Sequence, residues 1–186
     1  MKPMLIKTDI NKLSETVHAW AVDVGWWDNK DRCPFETLQL FSTEVAEATE
    51  GERKNLMDDH LPNRPMGEVE LADVVIRAVD MAGHYGWQYT PTMRPRLMYY
   101  GEKTIGAMHL SLNKIIIQLA DSFHYDGTES ADMCAFGYSV LIEACYYIAF
   151  TQDYDIDGAI VEKIEYNRTR ADHKRENRVK TGGKGF

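Results

Sequence analysis

Cysteine clusters, long apolar runs, strand-like alternation and a basic surplus are all missing from this chain. Cys33, Cys134 and Cys145 are its three cysteines, an odd number, widely spaced and without a CxxC pair. That pattern suits a reducing compartment and gives no zinc signal. The opening MKPMLIKTD is too short and polar for a signal peptide, and no apolar run approaches a membrane span. The expectation is a soluble cytoplasmic protein. Lys and Arg total 21 against 29 Asp and Glu, a formal net charge of −8. No broad basic surface is left to neutralise a phosphate backbone, which argues against a general nucleic-acid binder. A small phosphate ligand stays open, because bound metal ions reverse local charge. The basic residues cluster late, in RTRADHKRENRVK. With no β-alternation, the expected fold is all-α.

The 186 residues, 44% hydrophobic and 27% charged, allow one domain with a sizeable core. Helical spacing of Leu13, Val17, Trp20 and Val24 predicts a first helix over 9–24, capped by Asp9 or Thr8, with Trp20 in the core. GWWDNKDRCP then reads as a loop. Pro34 suits the first turn of a second helix, about 34–51, with core residues Leu38, Phe41, Val45 and Ala48. A line of Leu40, Glu44, Glu47 and Gly51 runs beside them. DDHLPNRPMG is a turn-rich connection. A third helix covers about 67–86, a fourth about 102–122 and a strongly apolar fifth about 130–150. A last helix starts near 157 and runs into the basic tail, where TGGKGF is expected to be flexible. The second and third helices resemble the fourth and fifth at an offset of roughly seventy residues, which suggests a duplication. Under that offset Asp73 aligns with Glu143, while Glu44, Glu47 and Glu70 align with Lys114, Ile117 and Val140. The second pair then keeps the packing and loses the acids.

The chemistry lies in two carboxylate pairs. Glu44-x-x-Glu47 occupies the second helix and Glu70-x-x-Asp73 the third, and an i, i+3 pair shares one helix face. A lone pair of this kind is ordinarily a solvated face, and Glu50, Glu52 and Glu68 are read that way. These two pairs differ, because each borders the apolar face. Packed antiparallel, the helices bring four negative charges together, which is tolerable when a divalent ion sits among them. Oxygen-only ligands favour Mg²⁺ or Mn²⁺ over zinc, and Mg²⁺ commonly bridges to substrate phosphates. Down the third helix, Arg77 is placed to pair with Asp73. Asp80 is either a further ligand or the residue that fixes Arg77, and His84 is read as compensating the helix dipole. Trp26 and Trp27 either stack on a base or cover a loop–core junction. A di-iron bundle would want two Glu-x-x-His motifs; Glu15-x-x-His18 is the single copy.

LQLFSTEVAEATEGERK followed by EVELADVVIRAVDMAGHYGW resembles the all-α NTP pyrophosphohydrolases, the MazG-like superfamily that includes the dimeric dUTPase type. Its hallmark is ExxE on one helix and ExxD on the next, matched by Glu44, Glu47, Glu70 and Asp73. GWW and IRAVD resemble a bacterial and phage subgroup, and VEKIEYNRTR with GGKGF resembles the family ending. The resemblance implies a single domain over 1–186. Residues 9–87 form the metal-binding half, 88–150 an inserted or degenerate helix pair, and 151–186 a C-terminal helix with a Lys/Asn motif and basic tail. It implies a helical bundle in which the four acids hold magnesium, with manganese as substitute. Water then attacks the α-phosphorus of a nucleoside triphosphate, releasing monophosphate and pyrophosphate. Glu47 is assigned to the water. Lys163 and Asn167 match phosphate-side positions, and Arg53, Lys54 and Arg170 are further candidate phosphate contacts. No polymeric nucleic acid or membrane is implied as partner, and assembly into a homodimer or larger is expected. The competing reading is a non-catalytic helical nucleotide-binding or interaction protein that retains the fold.

Overall fold

A computed structural model describes residues 6–29, 31–92, 104–123, 130–173 and 175–178, the last residue by its backbone alone. The TGGKGF tail lies outside these residues. Among the described residues the regular elements are all helices, without a strand. The helices are α1 (Ile10–Asp23), α2 (Pro34–Lys54), α3 (Met66–Tyr85), α4 (Ile105–Ala120), α5 (Ala131–Thr151) and α6 (Ile156–Thr169). A 3-10 turn, Ala171–His173, and a short α7, Arg175–Arg178, follow.

The helix ends follow local chemistry. Asp9 caps α1 by accepting from the Lys12 amide at 3.0 Å. Pro34 opens α2, as its fixed φ allows. The helix runs past Gly51 to Lys54 and stops where Asn55 turns left-handed, at φ 51°. Gly51 is not a stop signal: a Cβ there would stand 2.8 Å from the Met66 Cβ, so the residue admits a close α2–α3 approach. Asp155 caps α6 through the Gly158 amide at 3.2 Å. The last helix stops two residues into the basic run, because Arg170 is extended (ψ 129°) and breaks it.

Four helices form a bundle. α2 packs on α3 and α4, and α5 packs on α3 and α4. Each helix of the first pair thus meets the other pair's helix that the repeat aligns with it. α1 and α6 lie against α3 as well, so α3 is surrounded. That position explains its burial, with Val69, Leu71, Ala72, Val74, Val75, Val79 and Met81 all inaccessible. It also bears on Glu70, Asp73, Arg77, Asp80 and His84, which follow one another at three- and four-residue steps on α3. A helix enclosed on every side must turn its polar residues into a site or onto partners.

α5 is long and apolar enough to cross a membrane by length and composition, with a mean hydropathy of 1.5, contrary to the expectation that no run approaches that limit. About two thirds of that stretch is buried in the bundle, where Leu141, Ile142, Cys145 and Ile148 are inaccessible, while Met133, Phe136 and Phe150 stay exposed.

One polar contact crosses α2 and α4. The Thr49 hydroxyl donates to the Val45 carbonyl at 2.8 Å and lies 2.8 Å from His109 Nδ1. Its single proton is spent on Val45, so Nδ1–H donates to Thr49. Nε2 is then a bare acceptor, and it has no partner among the described residues. Burial pushes the His109 pKa down to about 4. Unfolded His titrates near 6.5, so the unfolded chain takes up a proton between those values and the folded chain does not. Stability is therefore complete above about pH 6.5 and falls by on the order of 3 kcal/mol as the pH drops toward 4. Urea denaturation at pH 7.5 and pH 4.5 should show a smaller acid-side loss in His109→Gln than in the wild type.

Candidate metal and nucleotide site

α2 and α3 bring the two acid pairs together within one chain. Carboxylate oxygens of Glu44, Glu47 and Glu70 lie within 4.8 Å of one another. Glu44 and Glu70 are buried; Glu47 faces outward. Among the described residues this is the group of carboxylates close enough to share an ion. Asp73 stands beside the trio and holds the Lys163 ammonium at 3.0 Å. Burial raises Asp73, and Lys163 opposes that rise. Burial also lifts Glu70, helped by the charges of Asp73 and Glu44, until its pKa is pushed up to about 9. Burial and these neighbours thus favour the protonated form of Glu70, which lies against Glu44.

Two cations balance this cluster. Lys163 is buried on α6 rather than on an exposed face, among Asp73, Glu70 and Asp58. Burial pulls its pKa down, but those three acids outweigh it and the net shift is upward. Arg77 does not form the ion pair with Asp73 that its spacing suggested. It crosses to α2, with Nε and Nη2 each 2.6 Å from Glu44 Oε1.

The lower stripe is occupied too. Asp80 neither joins the acids nor fixes Arg77. Its Oδ1 accepts from Trp27 Nε1 at 2.9 Å and lies 2.9 Å from His18 Nδ1. Glu15 is exposed, and neither it nor His18 belongs to a group of metal-capable side chains among the described residues. Gly83 permits the arrangement, since a Cβ there would stand 2.4 Å from that of His18. His84 stacks on Trp27 at 3.8 Å, and Arg32 lies over the same ring at 4.5 Å. With both groups on its faces, Trp27 has no surface left for a base.

A cavity of about 390 Å³ opens beside Asp73 and Arg77. Val17, Ala21, Leu40 and Ile76 supply apolar wall, and Trp20 and Trp26 supply aromatic wall. Trp20 is thus half-buried on the cavity rather than in the core. Arg32, Asp80, Asn167, Arg170 and His173 give the polar lining. Asn167 joins the cavity as its place beside Lys163 on α6 suggested. Arg53 and Lys54 do not reach it: both are exposed and pair with Glu50, Arg53 at 2.9 Å.

Sequence reasoning missed His173 and Arg32, whose places depend on where α6 stops and how the α1–α2 loop folds. It also misread Glu68, which is buried and pairs with Arg64 at 2.8 Å. Arg64 reaches on to Glu162 at 2.7 Å, tying the α2–α3 connection to α6 and so setting Lys163 against Asp73. Glu52 is also engaged, accepting from the Tyr154 hydroxyl. Glu143, which the repeat aligns with Asp73, is buried and accepts from the Thr92 amide at 2.7 Å.

Comparison with protein-family models, curated proteins and solved structures found no match.

Proposed function

We propose that this protein is a magnesium-dependent nucleoside triphosphate pyrophosphohydrolase of the MazG-like type. One observation carries the reading. Acids named from two sequence motifs on different helices, Glu44, Glu47 and Glu70, converge within 4.8 Å beside Asp73. The donor set is all carboxylate oxygen, which fits Mg²⁺ or Mn²⁺ and not a soft metal. The same acids are electrostatically costly without a cation, as the retained proton on Glu70 indicates. A divalent ion there supplies charge stabilisation for phosphate oxygens and lowers the pKa of a water.

The chain's own groups then divide the work. Glu44, Glu47 and Glu70 would hold the ion, with Asp73 beside them. Glu47 is exposed, so it is the carboxylate placed to orient the attacking water and take its proton. The water oxygen bonds to the α-phosphorus as the bond to the bridging oxygen breaks, leaving nucleoside monophosphate and pyrophosphate. Asn167 on α6 and Arg170 just beyond its end contact phosphate. Trp20 and Trp26 enclose the base in the adjoining cavity, a role Trp27 cannot share. The four acids come from one chain, so homo-oligomerisation is not required to assemble them.

Pyrophosphate release from a panel of NTPs and dNTPs with Mg²⁺ tests the proposal. Wild type is expected to hydrolyse at least one of them, and Glu47→Gln to lose at least a hundredfold in rate, the scale of removing a positioned base. Folded wild-type protein that is inert across the panel would favour a non-catalytic nucleotide-binding role instead.

A further inference from the structure

We propose that Arg77 is an exchangeable counter-ion, which yields Glu44 to a divalent cation and then binds the polyphosphate of the nucleotide. The inference rests on reading the acids as a metal site. Both Arg77 donors, Nε and Nη2, converge on one oxygen of Glu44 at 2.6 Å. A paired fork would use both carboxylate oxygens. Here Glu44 also stands within 4.8 Å of Glu47 and Glu70. An ion seated among the three acids would draw on the Glu44 carboxylate that Arg77 holds through Oε1, and its double charge repels the guanidinium.

The two balancing cations differ in what they can do next. Lys163 is enclosed, its side chain 4% exposed, and Asp73 holds it in place. Arg77 is 36% exposed and lines the cavity with Asn167 and Arg170. Once released, it has open space in front of it and a planar donor set that matches phosphate oxygens. Metal binding thus uncovers the residue that receives the phosphates. The metal and the nucleotide bind cooperatively, and the metal-free protein keeps its phosphate cation occupied.

Titration calorimetry separates these roles without relying on turnover. Wild type, Arg77→Gln and Arg77→Lys are titrated with MgCl₂ alone, then with inorganic tripolyphosphate at saturating Mg²⁺. Arg77→Gln is expected to bind Mg²⁺ alone roughly three- to tenfold more tightly, having lost the competing cation, and tripolyphosphate roughly three- to tenfold more weakly. Arg77→Lys should fall between the two on both counts, and it carries the same comparison if Arg77→Gln does not fold. Equal or weaker Mg²⁺ binding by the variant overturns the exchange. So does unchanged tripolyphosphate binding. No heat from wild type with either Mg²⁺ or Mn²⁺ overturns the metal site itself, a distinct failure.

Discussion

Glu70→Gln is expected to make the protein more stable and to abolish pyrophosphate release. In the metal-free fold, burial and the neighbouring acids hold the Glu70 pKa at about 9. In the unfolded chain it lies near 4.5, so between these values the folded state binds a proton that the unfolded state has lost. The sign follows: stability falls as pH rises above about 4.5, and the loss at pH 7 is on the order of 3 kcal/mol. Glutamine has nothing to ionise and keeps a donor for Glu44, so urea denaturation at pH 7 should show that much recovered. At pH 4 the variant and the wild type should be nearly equal. The lost carboxylate should at the same time reduce hydrolysis by about a thousandfold or more, as removing a charge-stabilising group does. A residue that gains stability when neutralised and loses activity is the signature of a site kept for function. A variant that is both less stable and fully active would contradict this role.

Lys163→Met is expected to act in the opposite direction. The ammonium is buried, 3.0 Å from Asp73, with Glu70 and Asp58 also acting on it. Removing it leaves a half-buried carboxylate with its nearest cation gone. Breaking a buried pair from one side costs about 3–5 kcal/mol. Chemical denaturation should show the loss, and the double variant Lys163→Met/Asp73→Asn should recover much of it, because the orphaned charge is then gone as well. If the double variant is no more stable than Lys163→Met alone, packing of the lysine stem rather than charge balance dominates at this position.

The helices were legible because burial on one side writes a 3.6-residue period into the sequence. Leu38, Phe41, Val45 and Ala48 are all buried as that period required. Helix ends were less so. The second helix was expected to end near Gly51 but runs to Lys54, and Gly51 serves close packing against Met66. The last helix stops at Thr169, two residues into the basic run, and that stop places His173 on the cavity wall.

Spacing along one helix tells which residues share a face; it does not tell what stands opposite. The closeness of Glu44, Glu47 and Glu70 was legible on that basis, since each borders the apolar face of its helix. Charge partners were not. Local spacing pointed Arg77 to Asp73, whereas the guanidinium reaches Glu44 on the neighbouring helix. Asp80 looked like part of the acid stripe, yet α1 and the α1–α2 loop claim it through His18 and Trp27. Glu68 looked solvated because its partner, Arg64, makes sense only once α6 lies alongside. Each of these depends on a contact between elements distant in sequence.

The central claim is that Glu44, Glu47, Glu70 and Asp73 form a metal site serving a nucleotide in the adjoining cavity. A crystal structure with Mg²⁺ and a non-hydrolysable nucleoside triphosphate tests it most directly. The account expects the ion on those carboxylates, the phosphates reaching toward Asn167 and Arg170, and the base between Trp20 and Trp26. An ion and nucleotide bound elsewhere, with Arg77 still on Glu44, would contradict it.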